Sequence, residues 1–108
     1  MINPIDLDII LDNLISNSVK AKAKKVLVEF GLVDNKLEIC YYDDGIGMPE
    51  KLVNNPDAIF ELGVRESSEK GSGIGMYDVK MRINNIKGTI SFIGNKMKLT
   101  GAGFKIQI

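Results

Sequence analysis

Histidine is missing from all 108 residues. Its absence removes histidine general bases, serine–histidine triads and imidazole-bearing metal sites from anything this chain does alone. A single cysteine, Cys40, excludes an internal disulfide and fits a reducing compartment. Charge of one sign is not in excess either. The 14 Lys and Arg balance 14 Asp and Glu, so no net field favours nucleic acid or an anionic membrane. No apolar run approaches the roughly 20 residues of a membrane span, and the first residues lack the apolar core of a signal peptide. What is left, 44% hydrophobic and 26% charged, suits a globular chain with one modest core.

The densest chemistry lies in Asp43-Asp44-Gly45-Ile46-Gly47. Ahead of it, Leu37, Ile39 and Tyr41 alternate with Glu38, Cys40 and Tyr42, a period of two that predicts a strand. The same parity carries Asp43 onto the face of Leu37, Ile39 and Tyr41, the one turned to the core. A carboxylate there is costly unless something hydrogen-bonds to it. A ligand donor is one candidate, and Gly45 and Gly47 would let the backbone approach that ligand. Asp-Gly is also a common turn pair, and taken alone the stretch reads first as a strand-ending turn.

Before this strand, residues 5 to 23 carry a helical pattern, with Asn3 or Asp6 available as its cap. Leu7, Ile10, Leu11, Leu14 and Ile15 fall on one apolar face. Asn13, Asn17 and Lys20 form a stripe beside it, and asparagine is a poor helix former with little reason to recur there. Lys20, Lys22, Lys24 and Lys25 read as a solvated helix end, because no aromatics interleave them. Val26, Val28 and Phe30 alternate as a strand, and Asp34-Asn35 is a turn that returns the chain antiparallel.

Beyond Gly47, Pro49 opens a helical turn and Asn55-Pro56-Asp57 a short helix through Phe60. Residues 63 to 72 are expected to be a mobile polar loop carrying Arg65 and Lys70. It runs into Gly71-Ser72-Gly73-Ile74-Gly75-Met76 and a helix over residues 77 to 86, ended by Gly88. Residues 89 to 93 and 104 to 108 read as strands flanking a turn at Gly94-Asn95-Lys96. The whole reads as one compact α/β unit. A glycine-rich loop that opens a helix is an anion site by virtue of its free N–H groups and the helix dipole. It is neither the phosphate loop ending in Gly-Lys-Ser/Thr nor the dinucleotide fingerprint, whose third glycine is misplaced here.

The ordered set is specific. Asn13-Leu14-x-x-Asn17-Ser18-x-Lys20, Asp43-x-Gly45-x-Gly47, Phe60 and Gly71-x-Gly73-x-Gly75 resemble the N, G1, F and G2 boxes of the GHKL superfamily. That superfamily holds gyrase, heat-shock chaperone, mismatch-repair and histidine-kinase ATPases. The resemblance implies a two-layer α/β sandwich, with helices on one face of a mixed β-sheet and ATP with Mg²⁺ bound between them. It assigns Asp43 to the adenine amino group, Gly45 and Gly47 to the passage of the chain beside the base, and Asn17 to Mg²⁺. It places Asn13 and Lys20 at the phosphates as the catalytic pair. Gly71, Ser72, Gly73, Ile74, Gly75 and Met76 would hold those phosphates, and residues 49–75 would form the lid and glycine-rich loop, with Arg65 or Lys70 swinging toward the γ-phosphate.

Gyrase-like, chaperone-like and mismatch-repair-like members carry a glutamate base where Asn13 stands, and an amide has no useful basicity. Lys20, the short lid and Gly73-Ile74-Gly75-Met76-Tyr77-Asp78-Val79-Lys80 look instead like the histidine-kinase branch, where positioning and charge carry phosphoryl transfer. The resemblance therefore implies an ATP-dependent protein histidine kinase domain. Its acceptor histidine would lie on a dimerisation domain in cis or trans, with a response regulator as an indirect partner and no nucleic-acid or membrane contact. It also implies a cytoplasmic location, as a free protein or as part of a membrane-anchored sensor. Two departures point elsewhere. The lysine-rich tail after Asn17 looks like the mismatch-repair style, and at Gly101-Ala102-Gly103-Phe104 the kinase pattern expects a threonine after the second glycine. A switch ATPase or a non-catalytic nucleotide-binding module is the alternative. Because the chain begins almost at the N-box helix, a fragment of a larger protein, or a minimal domain, is expected.

Overall fold

The computed structural model describes residues 3–61 and 75–108. Helix α1 spans Pro4–Lys20. Asn3 starts it by accepting the Ile5 N–H on its side-chain oxygen at 2.8 Å, with Pro4 at the first helical position. It stops earlier than the apolar period suggests because Lys22 turns left-handed (φ 64°) and the Ala23 N–H closes on the Ser18 carbonyl at 2.9 Å. Strands β1 (Val26–Val33) and β2 (Lys36–Asp43) form a hairpin. Asp34 and Asn35 both take positive φ (52° and 66°), the mirror-image turn whose twist suits a tight hairpin.

After β2 come a short helix α2 (Glu50–Val53) and a 3-10 turn (Pro56–Phe60). From residue 75 onward come α3 (Gly75–Asn85), β3 (Thr89–Asn95) and β4 (Ala102–Gln107). The strand order is β1-β2-β4-β3. Every described pairing is antiparallel, where a mixed sheet was expected. The reason is local: β1 with β2 and β3 with β4 are each joined by a short return, and β4 then docks antiparallel on β2. The two-layer expectation otherwise holds, with helices on one face of the sheet.

The core lies between those layers. Ile10 and Leu14 of α1 and Met76, Val79 and Ile83 of α3 meet Ile39, Tyr41, Phe104 and Ile106 of the sheet. Phe104 is held edge-on by Phe60 and Phe92, at centroid separations of 6.3 and 5.6 Å. Lys87, not Gly88, takes the left-handed position after α3 (φ 61°). Gly88 is needed for another reason: a Cβ there would stand 2.6 Å from the Gln107 carbonyl oxygen. At the outer edge, β1 reaches past the helical layer and leaves Phe30 59% and Leu32 78% exposed. In the centre of the sheet Tyr42 pairs with Gly103, and this register ends β2 with Asp43 beside residues 101 and 102.

Candidate functional site

Between the last turn of α1, the end of β2 and α2 there is a cleft whose walls are mainly apolar. Leu14, Met48, Leu52, Ala102 and Phe104 line it, and Ser18, Tyr41 and Asp43 form a polar spot in its depth. Asn17 and Lys20 also border it, together with Gly47. Asp43 is 5% exposed. Its burial is compensated by donors on both oxygens. Oδ1 accepts the N–H of Gly45 at 3.0 Å and of Ala102 at 3.2 Å, and Oδ2 accepts the Ser18 hydroxyl at 2.7 Å. Behind Ser18 the Tyr41 hydroxyl lies 2.7 Å from the same Oγ. Burial pushes the Tyr41 phenol above its ordinary pKa; the Ser18 hydrogen bond pulls it down and the charge of Asp43 pushes it up.

The glycines of this corner are there for space. A Cβ on Gly45 would sit 2.6 Å from the Ala21 carbonyl oxygen, which already accepts the Ile46 N–H at 3.0 Å. Gly47 has φ 78°, and a Cβ there would meet the Asn95 side chain at 2.8 Å. Asn95 in turn holds the loop: its Oδ1 accepts the Met48 N–H at 2.9 Å and its Nδ2 donates to the Met48 carbonyl at 3.0 Å. Next door, Asp44 points away from the cleft and accepts the N–H groups of Lys24 and Lys25 at 2.7 and 2.9 Å. Those bonds, that of Lys25 first, hold its carboxyl below the usual range.

Where α3 begins, two amide oxygens converge. The Oδ1 atoms of Asn13 and Asn17 lie 3.7 and 3.8 Å from where a Cβ on Gly75 would stand. Asn13 Nδ2 donates to Asp78 Oδ2 at 3.4 Å, which leaves the Asn13 oxygen turned toward Gly75. Asp78 also accepts from Arg82 Nε at 3.0 Å, and Arg82 reaches Asp6 at 3.1 Å, tying α3 to α1. The Asp78 hydrogen bond is the main reason the guanidinium is held above its ordinary pKa. The cleft thus has a carboxylate in its depth, and hard oxygen donors and a lysine along α1. Adenine, metal and phosphate would fit those groups in that order.

The profile of the histidine kinase-, DNA gyrase B- and HSP90-like ATPase family matches residues 2–108. The chain belongs to this family. It is 32% identical over 76 residues to the signal transduction histidine-protein kinase AfsQ2 of Streptomyces coelicolor, a match covering 69% of this chain and 14% of that kinase. The chain therefore matches only about a seventh of that relative's length. Among solved structures, the mycobacterial sensor histidine kinase MprB superposes with a TM-score of 0.78 at 21% identity, over 100% of this chain and 74% of that one. That likeness shows the histidine-kinase-type ATPase fold.

Of the residues expected at an ATPase site of this family, Asp43, Gly47, Asn17 and Lys20 border one cleft, with Gly45 hydrogen-bonded to Asp43. Asn13 and Gly75 come together at the start of α3. Met76 instead turns its side chain into the core, and Phe60 sits under Phe104 with Lys80 Nζ 5.1 Å above its ring. Arg65, Lys70, Gly71, Ser72, Gly73 and Ile74 lie outside the described residues. Four residues of the site carried no role beforehand: Ser18 and Tyr41, which read as parts of a helix and a strand, Asn95, which reads as a plain turn residue, and Gly101, which stood only in the Gly101-Ala102-Gly103-Phe104 pattern. A side chain at 101 would collide with Asp43 Oδ1. Among the described residues, no helix is long and apolar enough to cross a membrane.

Proposed function

We propose that this chain is the ATP-binding catalytic domain of a sensor histidine kinase or a close relative. The single observation that carries the reading is Asp43, a buried acceptor in the depth of an apolar cleft that also borders Asn17 and Lys20. The carboxylate would take the exocyclic amino group of adenine. Gly45 and Gly47, which leave room for Ala21 and Asn95, would let the chain pass beside a flat base. Asn17 Oδ1 is a hard donor of the kind Mg²⁺ accepts, and Lys20, which borders the same cleft, is a point charge suited to phosphate. Mg-ATP supplies the transferable γ-phosphoryl group and the metal that neutralises its charge.

What this chain's own residues contribute is positioning. Asn13 stands where a water-activating base would stand in hydrolytic branches, and its amide takes no proton. Its nitrogen is engaged by Asp78, so its oxygen is oriented and not free to spin. The chain has no histidine, so the phosphoryl acceptor belongs to a different, histidine-bearing domain in cis or trans. A response regulator would then take the phosphoryl group onward, in the cytoplasm. The test is calorimetric titration of the 108-residue chain with Mg-ATP. Asp43→Ala should lower affinity at least about tenfold, the worth of a hydrogen bond to a charged group. Unchanged binding would overturn the reading.

A further inference from the structure

The polar spot in the depth of the cleft has a direction. Ser18 is 3% exposed and Tyr41 1%, and the Ser18 Oγ lies 2.7 Å from both the Tyr41 hydroxyl and Asp43 Oδ2. A carboxylate only accepts, so the one serine proton goes to Asp43. Tyr41 must then be the donor to Ser18, because serine has no second proton to give. The result is a one-way chain from Tyr41 through Ser18 to Asp43 Oδ2. Two backbone N–H groups occupy Oδ1. A carboxylate offers about four acceptor positions, so one remains, on Oδ2.

We infer that Ser18, with Tyr41 behind it, is the positioning residue that holds Asp43 in a single rotamer and thereby sets selectivity for a 6-amino purine over a 6-keto purine. The inference rests on the ATP-site reading above. The one remaining acceptor position can be filled only by a donor, which adenine presents at its 6-position, where hypoxanthine and guanine carry a keto acceptor instead. Ser18 fixes where that position points. Without its hydroxyl, Oδ2 would have two open acceptor positions, and only the Oδ1 bonds to Gly45 and Ala102 would restrain the carboxylate. Water could then bridge a keto oxygen to it, and discrimination would fall. Tyr41 would also lose its acceptor while still buried, a penalty that is relieved when both hydroxyls are removed together. Neither hydroxyl would touch the base directly. Both act through Asp43.

The experiment compares ATP with ITP, which differ at the 6-substituent and the N1 proton that accompanies it, by calorimetry on wild type, Ser18→Ala, Tyr41→Phe, the double variant, Ser18→Thr and Asp43→Ala. Ser18→Ala should weaken ATP about tenfold and leave ITP nearly unchanged, so that the ATP/ITP ratio collapses. Tyr41→Phe should lose about threefold on ATP, and the double variant should be no worse than Ser18→Ala alone, the non-additivity expected of one chain. Ser18→Thr, which keeps the hydroxyl, should restore the ratio. A merely structural role would weaken both nucleotides together and leave the ratio intact. An unchanged ratio in Ser18→Ala alongside loss of ATP binding in Asp43→Ala would overturn the inference and spare the ATP-site reading. ATP bound normally by Asp43→Ala would overturn both. Should Ser18→Ala not fold, Tyr41→Phe and Ser18→Thr carry the same decision: a Tyr41→Phe ratio equal to wild type sinks the chain.

Discussion

Among single residues, Gly47 shows how a position can be needed twice. Its φ of 78° favours glycine, and the space a Cβ would take belongs to Asn95. Gly47→Ala is expected to cost about 1–3 kcal/mol from backbone strain alone, read as a lower urea midpoint with an unchanged m-value. Binding should weaken too, because the Asn95–Met48 pair would be pushed aside. Part of this was legible in advance. The parity of Leu37, Ile39 and Tyr41 placed Asp43 on the buried face, and the 3.6-residue period set Asn13 and Asn17 on one stripe. Ser18 stood within the recognised pattern, yet nothing local told that its hydroxyl would meet residues 41 and 43. The roles of Asn95 and Gly101 were illegible for the same reason. Their roles come from the register of β3 and β4 against β2, a long-range fact that no nearby residue encodes.

At the level of elements, the return from α1 into β1 is held to the end of β2 by Asp44. Its folded-state pKa lies below the ordinary carboxylate value because the N–H groups of Lys25 and Lys24 bind the charged form. A depressed carboxylate contributes stability above its unfolded pKa and loses it as pH falls through the folded value. The urea midpoint of the wild-type chain should therefore drop on acidification from about pH 5 to 3, and Asp44→Asn should flatten that dependence. An identical slope in both proteins would show that Asp44 carries none of it. The strands themselves were readable from alternation, and the hairpin from Asp34-Asn35. Their antiparallel sheet was not, since a strand's own residues say little about which neighbour it chooses. The end of α3 was misread for a related reason: Gly88 looks like a stop, but its demand comes from β4 passing behind it.

Considered whole, the molecule is a thin two-layer domain whose cleft lies between those layers, so filling the cleft should stabilise everything. With Mg-ATP at a hundred times its Kd, linkage adds about 2.7 kcal/mol. For a chain of this length that should raise the melting temperature by about 10 °C. Asp43→Ala should lose the shift while keeping the apo transition cooperative. A shift of the same size in that variant would mean that the nucleotide binds elsewhere. The tie of α3 to α1 through Arg82, Asp6 and Asp78 is a surface network, and it orients Asn13 more than it stabilises the domain.

Asp43 is bonded to the chain in more ways than its side chain alone: its main-chain carbonyl accepts the Gly101 N–H at 2.9 Å while its carboxylate holds those of Gly45 and Ala102. Three amide protons from two separate stretches, residue 45 and residues 101–102, therefore report on one residue. Deuterium uptake at 45, 101 and 102 should slow in unison when nucleotide arrives, a gauge of occupancy that the fold carries within itself and that needs no label.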